Sequence, residues 1–290
     1  MKILITGAQG QVGWELQRSL APFGEIAAYT HAQLDLSNAD AIRQAVRHLG
    51  PDLIVNAAAY TAVDQAEKEA DRAHEVNAMA PAILAEEAKH LEAAFIHYST
   101  DYVFDGQKQA PYEEIDAARP LNVYGESKLE GEKAVAAIDC AHLVLRTSWV
   151  YGARGKNFLR TILRLAEERD ELRVVDDQHG APTWSRMLAE ATAACVSQCL
   201  YRGGVAAMLR ERSGLYHLSA AGQTTWFGFA DAIVQHAPKV PQMTPIPTSA
   251  YPLPAPRPMY SILSNHKFTR AFGLQLPDWR ASLNLCLTAV

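Results

Sequence analysis

The chain has 290 residues, enough for one or two domains whose core needs no disulfide or metal staple. Hydrophobic residues make up 49% and charged residues 20%, which excludes a disordered chain. Twenty-seven basic against 32 acidic residues leave a net charge of −5, with no Lys/Arg block and no apolar run of 18 residues, so neither nucleic acid nor a membrane is an expected partner. Met1–Gly7 is too short in apolar residues for a signal peptide. Cys140, Cys195, Cys199 and Cys286 lack metal-ligand spacing and read as buried thiols in a reducing compartment, so a cytoplasmic location is expected.

In chain order, Lys2–Thr6 is predicted as a strand and Gln11–Leu20 as a helix with Val12, Leu16 and Leu20 on one face. Ile26–Tyr29 is a second strand, and Ala39–Leu49 a second helix that Ser37 or Asn38 can cap. Leu53–Val55 is a third strand, followed by one long helix over Ala70–Leu91. A fourth strand spans Ala94–Tyr98, a helix Asn122–Ala137 and a fifth strand His142–Arg146. Strands alternating with helices of this length imply right-handed βαβ units. The predicted fold is α/β: a Rossmann-type doubly wound parallel sheet with a smaller C-terminal α/β substrate-binding part.

Beyond residue 150 the rhythm changes. Helices are expected at 157–168, 184–200 and 226–236, and short strands at 172–175 and 215–218. Pro238–Pro258 holds eight prolines and is expected to be extended rather than helical. The expected division is a dinucleotide-binding half over 1–150 and a substrate-binding part over 151–290, with the helix at 184–200 packing back on the first half.

Gly7, Gly10 and Gly13 lie between the first strand and first helix in G-x-x-G-x-x-G spacing. Such glycines permit a tight turn and bring backbone N–H groups to a pyrophosphate at a helix N-terminus. The second strand ends in Tyr29-Thr30-His31 with no carboxylate to repel a 2′-phosphate, so NADPH is the expected cofactor, with NADH possible. Asp35 and Leu36 are placed at the adenine, or Asp35 is a capping carboxylate. Asn56–Thr61 after the third strand offers small residues, Ala59 among them, against which a flat cofactor can lie.

Tyr124 and Lys128 stand four apart on one helical face. A phenol with a pKa of ~10 is a poor acid–base group at neutral pH, and a nearby ammonium is expected to lower it. Ser99-Thr100-Asp101 follows the fourth strand, so Thr100 and Tyr124 should converge at the carboxyl end of the sheet.

Together these motifs make the chain resemble the extended short-chain dehydrogenase/reductases, and within them the dTDP-4-dehydrorhamnose reductases. The resemblance runs through GAQGQVGWEL (7–16), NAAAYTAVDQAE (56–67), HYSTDYVFDG (97–106) and PLNVYGESKLEGE (120–132). It continues in LRTSWVYG (145–152), DQHGAPT (177–183) and PTSAYPLPAPRP (247–258). It implies NAD(P)H-dependent reduction of a dTDP-linked 4-keto-6-deoxy sugar, the last step towards dTDP-L-rhamnose. By resemblance, Tyr124 would protonate the carbonyl oxygen, Thr100 would hydrogen-bond it, and Lys128 would hold the nicotinamide ribose. Gly10, Gln11 and Val12 would line the pyrophosphate, with Ala59, Tyr60, Thr61 and Tyr98 along the cofactor. Asp101, Trp149 and Arg257 would meet the sugar nucleotide, with Asn157 and Gln178 as weaker candidates. Related dehydratases carry an Asp-Glu pair after the threonine; here Tyr102 follows Asp101, which points to plain ketone reduction.

Some relatives dimerise around Mg²⁺ held by three glutamates. This chain has Glu15, then Arg186 in place of the second, and Leu287-Thr-Ala-Val290 in place of the third. No metal is expected, and a monomer or a metal-independent homodimer is. Glu15 and Arg186 pairing across a subunit interface is the alternative. Two other readings stay open: a non-catalytic dinucleotide-binding regulatory subunit, and a reductase or epimerase for another sugar nucleotide.

Overall fold

The structure, a computed structural model, describes residues 1–200 and 204–289. Five strands of the first half are β1 (Lys2–Thr6), β2 (Glu25–Tyr29), β3 (Leu53–Asn56), β4 (Ala94–Thr100) and β5 (Ala141–Thr147). The later strands are β6 (Val150–Tyr151), β7 (Glu171–Val175), β8 (His179–Gly180), β9 (Thr183–Trp184), β10 (Gly214–His217), β11 (Thr224–Thr225) and β12 (Gln242–Ile246). The helices are α1 (Gln11–Ser19), α2 (Ala39–Leu49), α3 (Val63–Ala66), α4 (Ala70–His74), α5 (Ala80–His90) and α6 (Val123–Ala137). They continue with α7 (Phe158–Glu168), α8 (Ser185–Leu200), α9 (Val205–Glu211), α10 (Trp226–Val234), α11 (His266–Phe272) and α12 (Trp279–Leu287).

Six strands form one parallel sheet in the order β10-β5-β4-β3-β1-β2. Its strands are apolar on both faces because helices cover both. Ile3, Ile5, Leu53, Val55 and Ile96 point to one side, and Leu4, Ile54, Phe95 and Val144 to the other, as a two-residue period requires. On the first side α8 lies against α1, where Ser19 Oγ donates to the Ala189 carbonyl at 3.1 Å. Residues from 188–199, 205–218 and 268–276 thus share the core of the six-stranded sheet. A separate core gathers Tyr151, Trp184, Phe229 and Trp279 in the C-terminal part.

Successive strands run outward in both directions from β1, β2 on one side and β3 on the other. A crevice opens at the carboxyl ends of the strands at such a switch point. β1 and β3 there deliver Gly7 and Ala57.

The long helix expected over Ala70–Leu91 is broken. α4 ends at His74, a π-helical turn runs Glu75–Met79, and α5 begins at Ala80. Pro81 has no N–H for the Asn77 carbonyl, and the wider turn, closed by Ala80 N donating to the Glu75 carbonyl, lies directly before it. Asn38, rather than Ser37, caps α2 by accepting from Ala41 N at 3.0 Å. The proline-rich segment contains β12, which pairs in parallel with β7 as a two-stranded edge, a setting that tolerates Pro245. Among the described residues no helix is long and apolar enough to cross a membrane.

Candidate active site

Gly7 leaves β1 with φ of 72°, and a Cβ there would lie 2.8 Å from Ala58 N. A Cβ on Gly13 would lie 2.1 Å from the Gly7 carbonyl oxygen. Only glycine lets the loop close this tightly onto β3 and onto the first turn of α1. Gly10 at the N-cap offers no side-chain acceptor, so the first-turn N–H groups of α1 face outward, the usual setting for a phosphate. A cavity of about 780 Å³ lies over them. Gly7, Gly10, Gln11 and Val12 line it, as do Ala59, Tyr60 and Thr61 after β3 and Tyr98, Tyr124 and Lys128 from β4 and α6. Gly13 is buried beneath the turn. The glycine cradle, the uncapped helix end and a cavity of this volume fit a dinucleotide.

Of the residues expected at the adenosine, Leu36 lines the cavity, whereas Thr30 and Asp35 do not. Thr30 N and Oγ1 both donate to Gln33 Oε1, at 3.0 and 2.9 Å. Asp35 Oδ1 accepts from Ser37 N at 3.0 Å and Ser37 Oγ at 2.9 Å, bonds that hold its carboxyl below the usual range. The basic side chains that do face the cavity here are His31 and Arg72. Both lie beside Asp35, at 3.7 and 3.9 Å.

Asn122 starts α6 by accepting from Gly125 N at 2.8 Å, which puts Tyr124 in the first turn and Lys128 one turn on. Lys128 is 1% exposed; its Nζ donates to the Tyr98 carbonyl at 2.7 Å and lies 3.2 Å from His97 Nε2. Burial lowers its pKa to about 8 against the opposing pull of Glu132. Burial raises Tyr124 to about 12, opposed by the adjacent Thr100 hydroxyl and reinforced by Asp101. The expected lowering of the Tyr124 pKa by Lys128 is therefore not what the chain produces: desolvation dominates at Tyr124, and the Lys128 nitrogen already donates to the Tyr98 carbonyl. Tyr124 is a neutral phenol at physiological pH, the state a proton donor needs.

Thr100 Oγ1 donates to Asp101 Oδ1 at 3.1 Å, and Ser148 Oγ donates to Asp101 Oδ2 at 3.0 Å. Asp101 is 2% exposed, and burial raises its pKa to about 6. Tyr102 packs edge-on against the Tyr124 ring, centroids 5.8 Å apart, and feels the charges of Asp101, Arg257 and Asp64.

The other expected sugar-nucleotide residues stand outside the dinucleotide cavity. Trp149 has a left-handed backbone, φ 45°, and stacks on Trp226 with centroids 3.5 Å apart. Strain of that kind concentrates at functional sites. Gln178 Oε1 accepts from Trp226 Nε1 at 3.2 Å. Arg257 is already occupied: Nη2 donates to Asp64 Oδ2 at 2.9 Å and Nη1 to the Ala255 carbonyl at 2.6 Å, tying the proline-rich strap to the first half. Asn157 caps α7 by accepting from Arg160 N at 3.1 Å, which explains its presence without a ligand. Glu15 and Arg186 do not wait for a partner subunit. Arg186 Nε donates to Glu15 Oε2 at 3.4 Å within one chain, and Glu15 is only 9% exposed. Among the described residues no group of three His, Cys, Asp or Glu is placed to hold a metal ion; Val290 lies outside them.

A family profile described as the RmlD substrate binding domain matches residues 1–290. The chain belongs to this family. A relative named dTDP-4-dehydrorhamnose reductase from Burkholderia thailandensis is 50% identical over 99% of this chain and 98% of its own length. The crystal structure of a dTDP-4-dehydrorhamnose reductase from Clostridium acetobutylicum superposes with a TM-score of 0.92 at 36% identity, covering 100% of this chain and 99% of that one. One from Bacillus anthracis, in complex with NADP, gives 0.90 at 35%, covering 100% and 99%.

Within this RmlD-type chain several site residues escape the sequence motifs. Asn77, in the π turn, accepts from Tyr60 N at 2.8 Å and donates to the Tyr60 carbonyl at 3.1 Å and to Ser127 Oγ at 3.0 Å, joining the cavity wall to α6. Thr192 on α8 meets the Tyr98 hydroxyl at 2.6 Å. Arg72 carries no motif spacing. His97 opens the HYSTDYVFDG stretch, where it stands as a polar residue after the apolar run Ala94–Ile96 of β4.

Proposed function

We propose that this chain reduces the 4-keto group of dTDP-4-dehydrorhamnose to dTDP-L-rhamnose with a nicotinamide dinucleotide as reductant. The observation that carries the reading is Tyr124: a half-buried, neutral phenol beside the Thr100 hydroxyl, lining a glycine-cradled cavity, in a chain of this family. When bound, the reduced nicotinamide supplies hydride.

The chain's own residues supply the rest. Tyr124 Oη donates the proton that turns the developing alkoxide into a hydroxyl. Thr100 Oγ1 turns from Asp101 to the same oxygen and stabilises its charge. Lys128, fixed by the Tyr98 carbonyl, holds the cofactor's ribose. The α1 N-terminus with Gly10, Gln11 and Val12 holds the pyrophosphate, and Ala59, Tyr60 and Thr61 flank the cofactor. Asp101, Trp149 and Arg257 form the sugar-nucleotide side, with residues 151–290 contributing most of it. For Arg257 to reach a diphosphate, it must exchange Asp64 for the ligand. Tyr102 stands where a dehydratase places its acid. Burial raises its pKa above the ordinary phenol value, so it is no acid for water elimination.

NADPH is the preferred or equal cofactor in this reading. The support is His31 and Arg72 at the adenosine end, and the commitment of Asp35 to Ser37. The protein works in the cytoplasm without a metal, as a monomer or as a dimer held by protein contacts alone. The test is NADPH oxidation with the dTDP-4-keto sugar generated in situ, and identification of dTDP-L-rhamnose by mass and chromatography. Oxidation without that product sinks the substrate assignment.

A further inference from the structure

His97 is fully buried on β4, and no step above uses it. Its two ring nitrogens have different partners. Nδ1 lies 3.1 Å from Asn56 Nδ2, and Nε2 lies 3.2 Å from Lys128 Nζ.

The orientation of the Asn56 amide decides the rest. Asn56 Oδ1 accepts from Ala58 N at 3.2 Å and from Thr6 Oγ1 at 2.6 Å. A backbone N–H can only donate, so the amide oxygen is fixed toward Ala58 and the amide nitrogen toward His97. An amide nitrogen also only donates. His97 Nδ1 must then offer its lone pair, and the neutral ring carries its hydrogen on Nε2. The doubly protonated ring is disfavoured by the same bond, and burial together with the Lys128 charge disfavours it further, outweighing the opposing pull of the Asn56 backbone.

The hydrogen on Nε2 points at Lys128 Nζ. Against an ammonium, that contact sets N–H against N–H. Against a neutral amine, it is a hydrogen bond to the nitrogen lone pair. Such an amine still donates to the Tyr98 carbonyl and keeps one N–H for the cavity that Lys128 lines.

We propose that His97, locked by Asn56 as the Nε2–H tautomer, is a positioning residue that sets the protonation state of Lys128 by favouring the neutral amine. The other charges around Lys128 do not replace this effect. Glu132, one turn along α6, favours the ammonium, but its carboxylate is held by Arg146 Nε and Nη2 at 2.8 and 2.6 Å and by Ser99 Oγ at 2.5 Å. Asp101, next to Tyr124, is itself bound by Thr100 and Ser148. Tyr124, on the same helical face, is a neutral phenol. The role matters because a lysine poised near neutrality titrates within the working pH range, whereas an ordinary ammonium does not. Its assignment to the reaction rests on the reductase reading; the tautomer and the lysine titration do not.

The experiment is NMR on the full-length protein labelled with ¹⁵N-histidine and ¹³C,¹⁵N-lysine, with and without NADP⁺, resonances being assigned through the backbone. His97 is expected to show a pyridine-type Nδ1 and a pyrrole-type Nε2 from pH 6 to 9. A protonated Nδ1 overturns the proposal. In His97→Gln the side-chain amide can turn its oxygen to the ammonium, and the Lys128 midpoint, followed at its ¹³Cε, is expected to rise by about one pH unit, tenfold in proton affinity. An unchanged or lowered midpoint overturns the proposal. If His97→Gln does not fold, the wild-type tautomer decides alone. Neither readout needs turnover, so an inactive wild type in the dTDP-sugar assay counts against the reductase reading and leaves this one testable.

Discussion

Replacing Asp101 with Asn removes a buried charge but keeps the shape and most of the hydrogen bonding. The Asn oxygen can accept from one of the two hydroxyls that now bind the carboxylate, and the other hydroxyl can rotate to accept from the amide. Burial raises the folded pKa of Asp101 from 3.8 to about 6. The folded state therefore binds this proton more tightly than the unfolded chain. The associated stability is fully present below the unfolded value and is lost as pH rises through about 6. Two units correspond to roughly 3 kcal/mol in all, of which about half is lost between pH 5 and pH 8. Asp101→Asn has no such loss. Its stability relative to wild type should rise by about 1–2 kcal/mol over that interval, or roughly 3–5 °C in Tm for a chain of this size. Thermal unfolding of both proteins at pH 5 and pH 8, followed by circular dichroism, measures the difference. A Tm gap that is the same at both pH values, or that moves against the variant as pH rises, refutes the placement of Asp101 as a desolvated carboxyl.

Gly13→Ala should lower stability by about 1–3 kcal/mol and weaken NADPH binding, because its Cβ would stand 2.1 Å from the Gly7 oxygen. Gly10→Ala, with 3.2 Å to the same oxygen, should cost clearly less in thermal melts and fluorescence titrations. Arg72→Ala should raise KM for NADPH several-fold and leave KM for NADH nearly unchanged; equal effects on both would remove Arg72 from 2′-phosphate recognition. EDTA should change neither activity nor sedimentation, since Arg186 already donates to Glu15. A dimer that dissociates on chelation and re-forms with Mg²⁺ would contradict that.

The parts legible in the sequence are those fixed by local pattern. β3 reads as a short apolar run because it is buried on both faces. The phosphate loop reads as three glycines because any Cβ at Gly7 or Gly13 collides with backbone. Tyr124 and Lys128 share a face because they are one turn apart. What the sequence hides is set by partners distant along the chain. Arg257 reads as a free cation, yet Asp64, 193 residues away, holds it. Asp35 and Thr30 read as cofactor ligands, but Ser37 and Gln33 occupy them. The ammonium expected to activate Tyr124 meets a histidine from the neighbouring strand and loses its water. The long helix fails at a visible cue, Pro81, whose effect depends on whether the chain kinks or widens.

The account rests on Tyr124 as the proton donor in ketone reduction, and the most direct test is Tyr124→Phe in single-turnover NADPH oxidation with the dTDP-4-keto sugar. The phenylalanine keeps the ring that packs against Tyr102 and loses only the hydroxyl. NADPH binding should stay within a few-fold of wild type while turnover falls by roughly 10²–10⁴-fold. A Tyr124→Phe protein that binds NADPH normally and turns over at the wild-type rate would contradict the account.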